Sequence, residues 1–172
     1  MKKAILPKIN LRAMEPEDLD ALYRIENDKK LWNVGVTNVP YSRYTLHNYI
    51  AGTVGDIYTD KQMRLIVESA EGKVAGVVDI TEFDPRHLRA ELGIVVKTEY
   101  RRQGYATAAV EEVLRYCREI IHLNQLYVIV DSENEASIRF FEKMGFSSGI
   151  MLQNWLYGGG RYHDAVLKQH FF

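Results

Sequence analysis

The sequence predicts a mixed α/β fold: helices flanking a mostly antiparallel sheet that carries one parallel pair of strands. Three observations carry this. Residues 63–96 alternate apolar and polar positions as three short strands joined by tight turns. A strongly amphipathic helix opens at Gly104. A further apolar strand, Gln125–Val130, follows that helix as the second strand of a crossover, and crossover strands run parallel. The 172 residues can bury one two-layer core, so one domain over 1–172 is expected.

Each element has a local reason. Lys8–Ala13 alternates, as a half-buried strand does. Glu15-Pro16-Glu17-Asp18 is a helix start, because proline suits the first turn and carboxylates favour its positive end. Leu19, Leu22 and Ile25 follow at helical spacing. Lys30–Arg43 is irregular, with Gly35, Asn38 and Pro40 as breakers and Trp32 and Tyr41 as large rings. Ser42 caps a second helix reaching about Val54. Met63–Glu68, Val74–Phe83 and Arg89–Val96 are the antiparallel strands, turned at Glu71-Gly72-Lys73 and Asp84–His87. Ala106, Ala109, Val110, Val113, Leu114 and Cys117 form the apolar stripe of the main helix, so Cys117 reads as a buried structural thiol. Gln125–Val130 is nearly continuously apolar, as in a sheet covered on both faces. Asn134 caps a helix with Ile138, Phe141 and Met144 on its apolar face and Gly145 at its end. Ser148–Tyr157 and Arg161–Phe171 close the chain as a hairpin around Gly158-Gly159-Gly160.

Composition narrows the function. Apolar residues make up 47% and the net charge is −1, so there is no basic field for nucleic acid to answer. No apolar run approaches the roughly 20 residues of a membrane span, and Met1–Pro7 lacks a signal peptide's apolar stretch. One cysteine excludes an internal disulfide and fits a reducing compartment, so a cytoplasmic location is expected. His87, His122 and His163 lack metal-ligand spacing in the sequence, and no metal is expected. Assembly into a homo-oligomer is left open.

The stretch Ile94–Thr107 is the centre of the sequence: a strand, a short basic loop with one glycine, then a helix. The N–H groups of a helix's first turn lack internal partners and sit at its positive end, where an anion is favoured. Gly104 permits a positive φ or a close backbone approach, and Arg101 and Arg102 add charge. The stretch is neither a Walker loop nor a dinucleotide fingerprint, and by itself a plain strand-to-helix turn explains it equally well.

Two linked motifs change that. Arg101-x-x-Gly104-x-Ala106, followed by Asn134, Ser137, Phe141, Lys143, Gly145 and Phe146, resembles the GNAT superfamily of acetyl-CoA-dependent N-acetyltransferases over nearly the whole chain. Arg89-Ala90-Glu91, Glu99-Tyr100 and Gly104–Thr107 look most like its spermidine/diamine and ribosomal-protein N-terminal branches. The resemblance implies a single GNAT domain whose central parallel strand pair is splayed, with acetyl-CoA as co-substrate and its thioester in the gap. Backbone amides of Arg102, Gln103, Gly104, Tyr105 and Ala106, with Arg101 and Thr107 also at the coenzyme site, would hold the pyrophosphate. Ile94, Val95 and Val96 would pair with the pantetheine arm. Asn134 and Ser137 would contact that arm, and Phe140 and Phe141 would wall in the thiol.

Acetyl transfer to an amine needs a base, an oxyanion donor and a leaving thiolate. Glu91 is the candidate base, acting through a water, with an exposed residue paired to Arg89 or Arg86 as the alternative. A backbone N–H near Val95 or Val96 is the candidate oxyanion donor. Many family members carry a tyrosine acid where this chain has Phe141, so water, Tyr157 or Tyr162 would have to replace it. A thiol of pKa about 8.5 leaves readily as thiolate, which lessens the need. Asp79, Glu82 and Glu91, with Asp84 close by, would draw a polycation or basic N-terminus, and Tyr157, like Trp32, Tyr41 and Trp155, would stack on it. A solvated sheet face paired with Arg86, Arg89 and Lys97 is the competing explanation. The expected reaction is acetylation of a primary amine, a polyamine or diamine such as spermidine. Protein N-terminal acetylation, a non-catalytic acyl-CoA-binding module and a domain without a coenzyme site are the alternatives.

Overall fold

A computed structural model describes residues 5–31 and 39–172. The expectations for Trp32, Gly35 and Asn38 therefore lie outside the described residues. In chain order the elements are β1 (Ile9–Ala13), α1 (Leu19–Glu26), α2 (Arg43–Gly52), α3 (Ile57–Asp60), β2 (Met63–Ser69), β3 (Val74–Asp84), β4 (Arg89–Val96), α4 (Tyr105–Tyr116), β5 (Gln125–Asp131), α5 (Glu135–Lys143), β6 (Ser147–Gly158) and β7 (Arg161–Phe171). They fall into two compact units. The first takes the chain up to Met14 and then 54–124, and the second takes 15–53 and 125–172.

In the first unit, β1, β2, β3 and β4 are neighbours in that order and all antiparallel. The alternation along β4 becomes register: Glu91 faces Thr81, Gly93 faces Asp79 and Val95 faces Val77. Gly76 is dictated by packing, since a Cβ there would lie 2.3 Å from the carbonyl oxygen of Val95. β3 bulges before Asp84, and Glu82 takes a φ of 50° there. The stripe of α4 is core: Ala109, Val110, Val113 and Cys117 are fully buried, each valine contributing about 1.5–3 kcal/mol. Ala108 joins them, while Ala106 and Leu114 are only half-buried. The helix ends in a π turn over Cys117–Ile121, with Ile121 buried.

In the second unit, β5, β7 and β6 are neighbours in that order, also antiparallel. Contrary to expectation, β5 is not uniformly buried: Leu126, Val128 and Val130 are core, and Tyr127 and Ile129 are half-buried. Its apolar run has one face covered more fully than the other. The β6–β7 hairpin turns at Gly159 and Gly160, both at positive φ. Ser42 caps α2 by accepting the Thr45 N–H at 3.0 Å. Among the described residues, no helix is long and apolar enough to cross a membrane.

Candidate active site

The strand-to-helix stretch is built to leave N–H groups open. A short 3-10 turn, Thr98–Tyr100, follows β4, and Arg102 then enters the left-handed region at φ 60°. Gly104 takes φ 88° as the residue before α4 and makes no side-chain cap. The first turn of α4 carries no acidic residue. Among the described residues, the first bond back into the loop is from Ala108 N–H to the Gly104 carbonyl, at 2.9 Å. Beyond the weak turn contacts of Arg101–Gly104, the N–H groups of Arg102 through Thr107 make no close hydrogen bond among the described residues. Such a run at a positive helix end is a cradle for a phosphate or pyrophosphate. The loop is braced behind. The Arg101 Nε donates to the Val96 carbonyl at 2.9 Å, Gln103 donates to the Glu99 carbonyl, and Leu6 and Pro7 pack against Gly104. Arg101 is thus spent on the loop, whereas the Arg102 side chain is exposed and has no partner among the described residues.

β4 orients its own peptides. Lys97 donates its N–H to Ala75 on β3, and the Val95 carbonyl faces β3 at Gly76. Alternation then turns the N–H groups of Ile94 and Val96 away from β3. Of the two expected oxyanion donors, Val96 is the one its strand leaves available.

The acidic residues separate into two kinds. Asp79 holds Arg64 in a two-pronged ion pair at 2.6 and 2.9 Å, so its charge is already matched. Asp84 stitches its turn, accepting the N–H groups of Arg86 and His87 and pairing with Arg89. Glu82 and Glu91 differ: among the described residues neither carboxylate has a hydrogen bond or ion pair. Arg89, an expected partner of Glu91, is on Asp84 instead. Burial, and then the Glu82 charge, push the Glu91 carboxyl above the usual carboxylate range.

In the second unit, Asn134 caps α5, its Oδ1 accepting the Ser137 N–H at 3.2 Å. Phe141 is core: it is 6% exposed and meets Phe140 and Phe146 edge-on at 5.1 and 5.3 Å. Tyr157 and Tyr162 are a cross-strand pair, both exposed, with rings 5.1 Å apart. Trp155 is exposed as well. Burial pushes the Cys117 thiol up to about 12, so it is no nucleophile. The fold also gathers what the sequence spacing hid: His163 lies beside Asp131 and Glu133.

Residues 8–147 match the family model described as an acetyltransferase (GNAT) domain. The chain belongs to the GNAT acetyltransferase family. The spermidine N(1)-acetyltransferase of Escherichia coli (strain K12) is 30% identical over 162 residues, which cover 92% of this chain and 83% of that protein. Its Vibrio cholerae counterpart is 26% identical over 158 residues, covering 92% and 90%. The crystal structure of spermidine N-acetyltransferase from Vibrio cholerae in complex with CoA and spermine superposes with a TM-score of 0.85 at 26% identity, covering 95% of each chain. The expected fold class, mixed α/β with mostly antiparallel strands and flanking helices, is therefore the GNAT fold. The chain is an acetyl-CoA-dependent N-acetyltransferase.

Within the GNAT frame, the open N–H groups of Arg102–Thr107 fit the pyrophosphate of acetyl-CoA. Phe141 offers no hydroxyl for the departing sulfur.

Proposed function

We propose that this GNAT enzyme transfers acetyl from acetyl-CoA to a primary amine of a polyamine, with spermidine as the leading acceptor. One observation carries the acceptor: Glu82 and Glu91 present two carboxylates without cationic partners among the described residues, in a chain whose other nearby acids are neutralised. A polyamine supplies the missing positive charge. The relatives named for spermidine support the same choice.

The chemistry follows from the residues. Acetyl-CoA supplies the acetyl group and a thiolate that can leave. Glu91 takes a proton from the substrate ammonium, directly or through one water, and so frees the nitrogen lone pair. Its proton affinity, raised by burial and then by the Glu82 charge, suits a base. The nitrogen bonds to the acetyl carbon, and the Val96 N–H stabilises the oxygen that becomes negative. The carbon–sulfur bond then breaks, the nitrogen gives up its second proton to solvent water, and the thiolate leaves without help from Phe141. Arg102 and the N–H groups through Thr107 hold the coenzyme. We propose one catalytic domain over the whole chain, since the family match runs through both units. A cytoplasmic setting suits the lone, buried Cys117.

A panel of spermidine, spermine, putrescine and peptides beginning with Ala or Ser, read by free thiol release, tests this. Turnover on polyamines is expected. Turnover on the peptides alone would replace this reading with protein N-terminal acetylation. Coenzyme binding without turnover on any amine would leave a binding module. Glu91 also marks a cost in stability. Its proton affinity is raised by folding, so the stabilisation is present below its unfolded pKa and is lost as pH rises through the folded one. Glu91→Gln is expected to raise the melting temperature at pH 7–8 and to add nothing near pH 4, as thermal melts would read.

A further inference from the structure

We propose that Asp131, Glu133 and His163 form a site for one first-row divalent metal ion. They have no assigned part in acetyl transfer, and nothing in their sequence spacing suggests a site.

The register builds it. Asp131 is the last residue of β5 and pairs with Ala165 of β7. Side chains on one face of a strand recur every second residue, so His163 shares the face of Ala165 and lies one step beyond the end of β5. The chain after β5 is held there: Ser132 N–H donates to the Asp164 carbonyl at 2.9 Å, and Glu133 N–H to Asp131 Oδ1 at 2.8 Å. Glu133 is thereby brought to the same place. One donor atom from each of the three residues lies within 4.8 Å of the others. His163 Nδ1 is 3.7 Å from Asp131 Oδ2 and 3.5 Å from Glu133 Oε2. Donors sharing one ion at about 2.0–2.2 Å stand roughly 3–3.6 Å apart.

A second observation points to an occupant. The other ring nitrogen, Nε2, faces the Gly158 carbonyl at 3.1 Å. A carbonyl can only accept, so Nε2 carries the hydrogen, and Nδ1 is the ring nitrogen left facing the two carboxylates, as a lone pair in the neutral ring or as an N–H in the imidazolium. That Nδ1 is buried and has no hydrogen-bond partner. Two carboxylates converging on this buried nitrogen call for a positive charge between them, which the ring's own proton supplies or a metal ion taking that proton's place. The Nε2–H bond to a carbonyl is also the outer contact that orients metal-binding histidines. One imidazole and two carboxylates suit zinc, cobalt or manganese, with positions left for water. Arg161, which donates to both Glu133 oxygens at 2.9 Å, is the resident competitor for that carboxylate.

The test uses full-length protein freed of any affinity tag and stripped with chelator. Co²⁺ is titrated by its visible absorption and Zn²⁺ by calorimetry. One equivalent of Co²⁺, displaced by Zn²⁺, with a higher melting temperature in metal, is the expected result. His163→Gln and Glu133→Gln should each weaken Co²⁺ by at least the ~10–100-fold that loss of even an outer contact costs. Glu133 is exposed, so its variant reports on binding even where His163→Gln fails to fold. Absence of Co²⁺ binding at millimolar metal, or Glu133→Gln and a folded His163→Gln both binding as the wild type does, would overturn the site. Acetyl transfer is not the readout, so failure here leaves the proposed reaction standing.

Discussion

Two helices of this enzyme begin in opposite ways. α5 satisfies its own start: Asn134 accepts the Ser137 N–H, and Glu135 adds a carboxylate to the first turn. α4 does neither. Gly104 has no side chain to offer, no acid follows it, and the N–H groups from Arg102 to Thr107 stay open among the described residues. A helix start without a cap forgoes about 1 kcal/mol, so leaving one open is a cost unless something else fills it. In the proposed reaction the pyrophosphate of acetyl-CoA fills it. The contrast separates a helix start that serves stability from one reserved for a ligand.

Making one start resemble the other should exchange their behaviour. Gly104→Asp places a self-capping carboxylate on the open start, at a φ of 88° that strains any side chain, and against Pro7. The KM for acetyl-CoA is expected to rise on the order of 100-fold, equivalent to about 2.7 kcal/mol. An unchanged KM would remove the anion from this loop. Arg102→Ala is expected to raise the same KM about 10-fold and to flatten its dependence on salt, which steady-state kinetics at several ionic strengths would read. The change at α5 is smaller and of another kind. Asn134→Ala should cost about 1 kcal/mol, or roughly 2–4 °C in melting temperature, with Asn134→Asp restoring it. If Asn134→Ala instead raised the KM for acetyl-CoA and left the melt alone, the coenzyme-arm role that the resemblance implies would outrank the cap.

Much of this was legible in the sequence because it is local. The limits of β4, the Ser42 and Asn134 caps and the glycine before α4 depend on neighbours within a few residues. α3 was not legible. Its cap, Asp56 accepting the Tyr58 N–H, opens a single turn too short to show a period. The site was read in part. That Asp79 is held by Arg64, while Glu82 and Glu91 stay unpaired among the described residues, depends on a register between β2, β3 and β4 that alternation does not supply. The β3 bulge that turns Glu82 into the left-handed region leaves no compositional mark. Likewise His163 meets Asp131 and Glu133 only through the pairing of β5 with β7.

The helix starts carry the proposed coenzyme site, and the proposed reaction turns on Glu91. The pH dependence of kcat/KM for spermidine, measured on the wild type, Glu82→Gln and Glu91→Gln, tests this most directly. The wild type should lose activity as pH falls through a proton affinity above the ordinary carboxylate range, because the base must be ionised. Glu82→Gln should move that acid limb to lower pH, since the neighbouring charge that raises it is gone. Glu91→Gln should abolish the limb and lower the plateau by at least ~100-fold. A Glu91→Gln enzyme within twofold of the wild type, with the same acid limb, would contradict the assignment of Glu91 as the base.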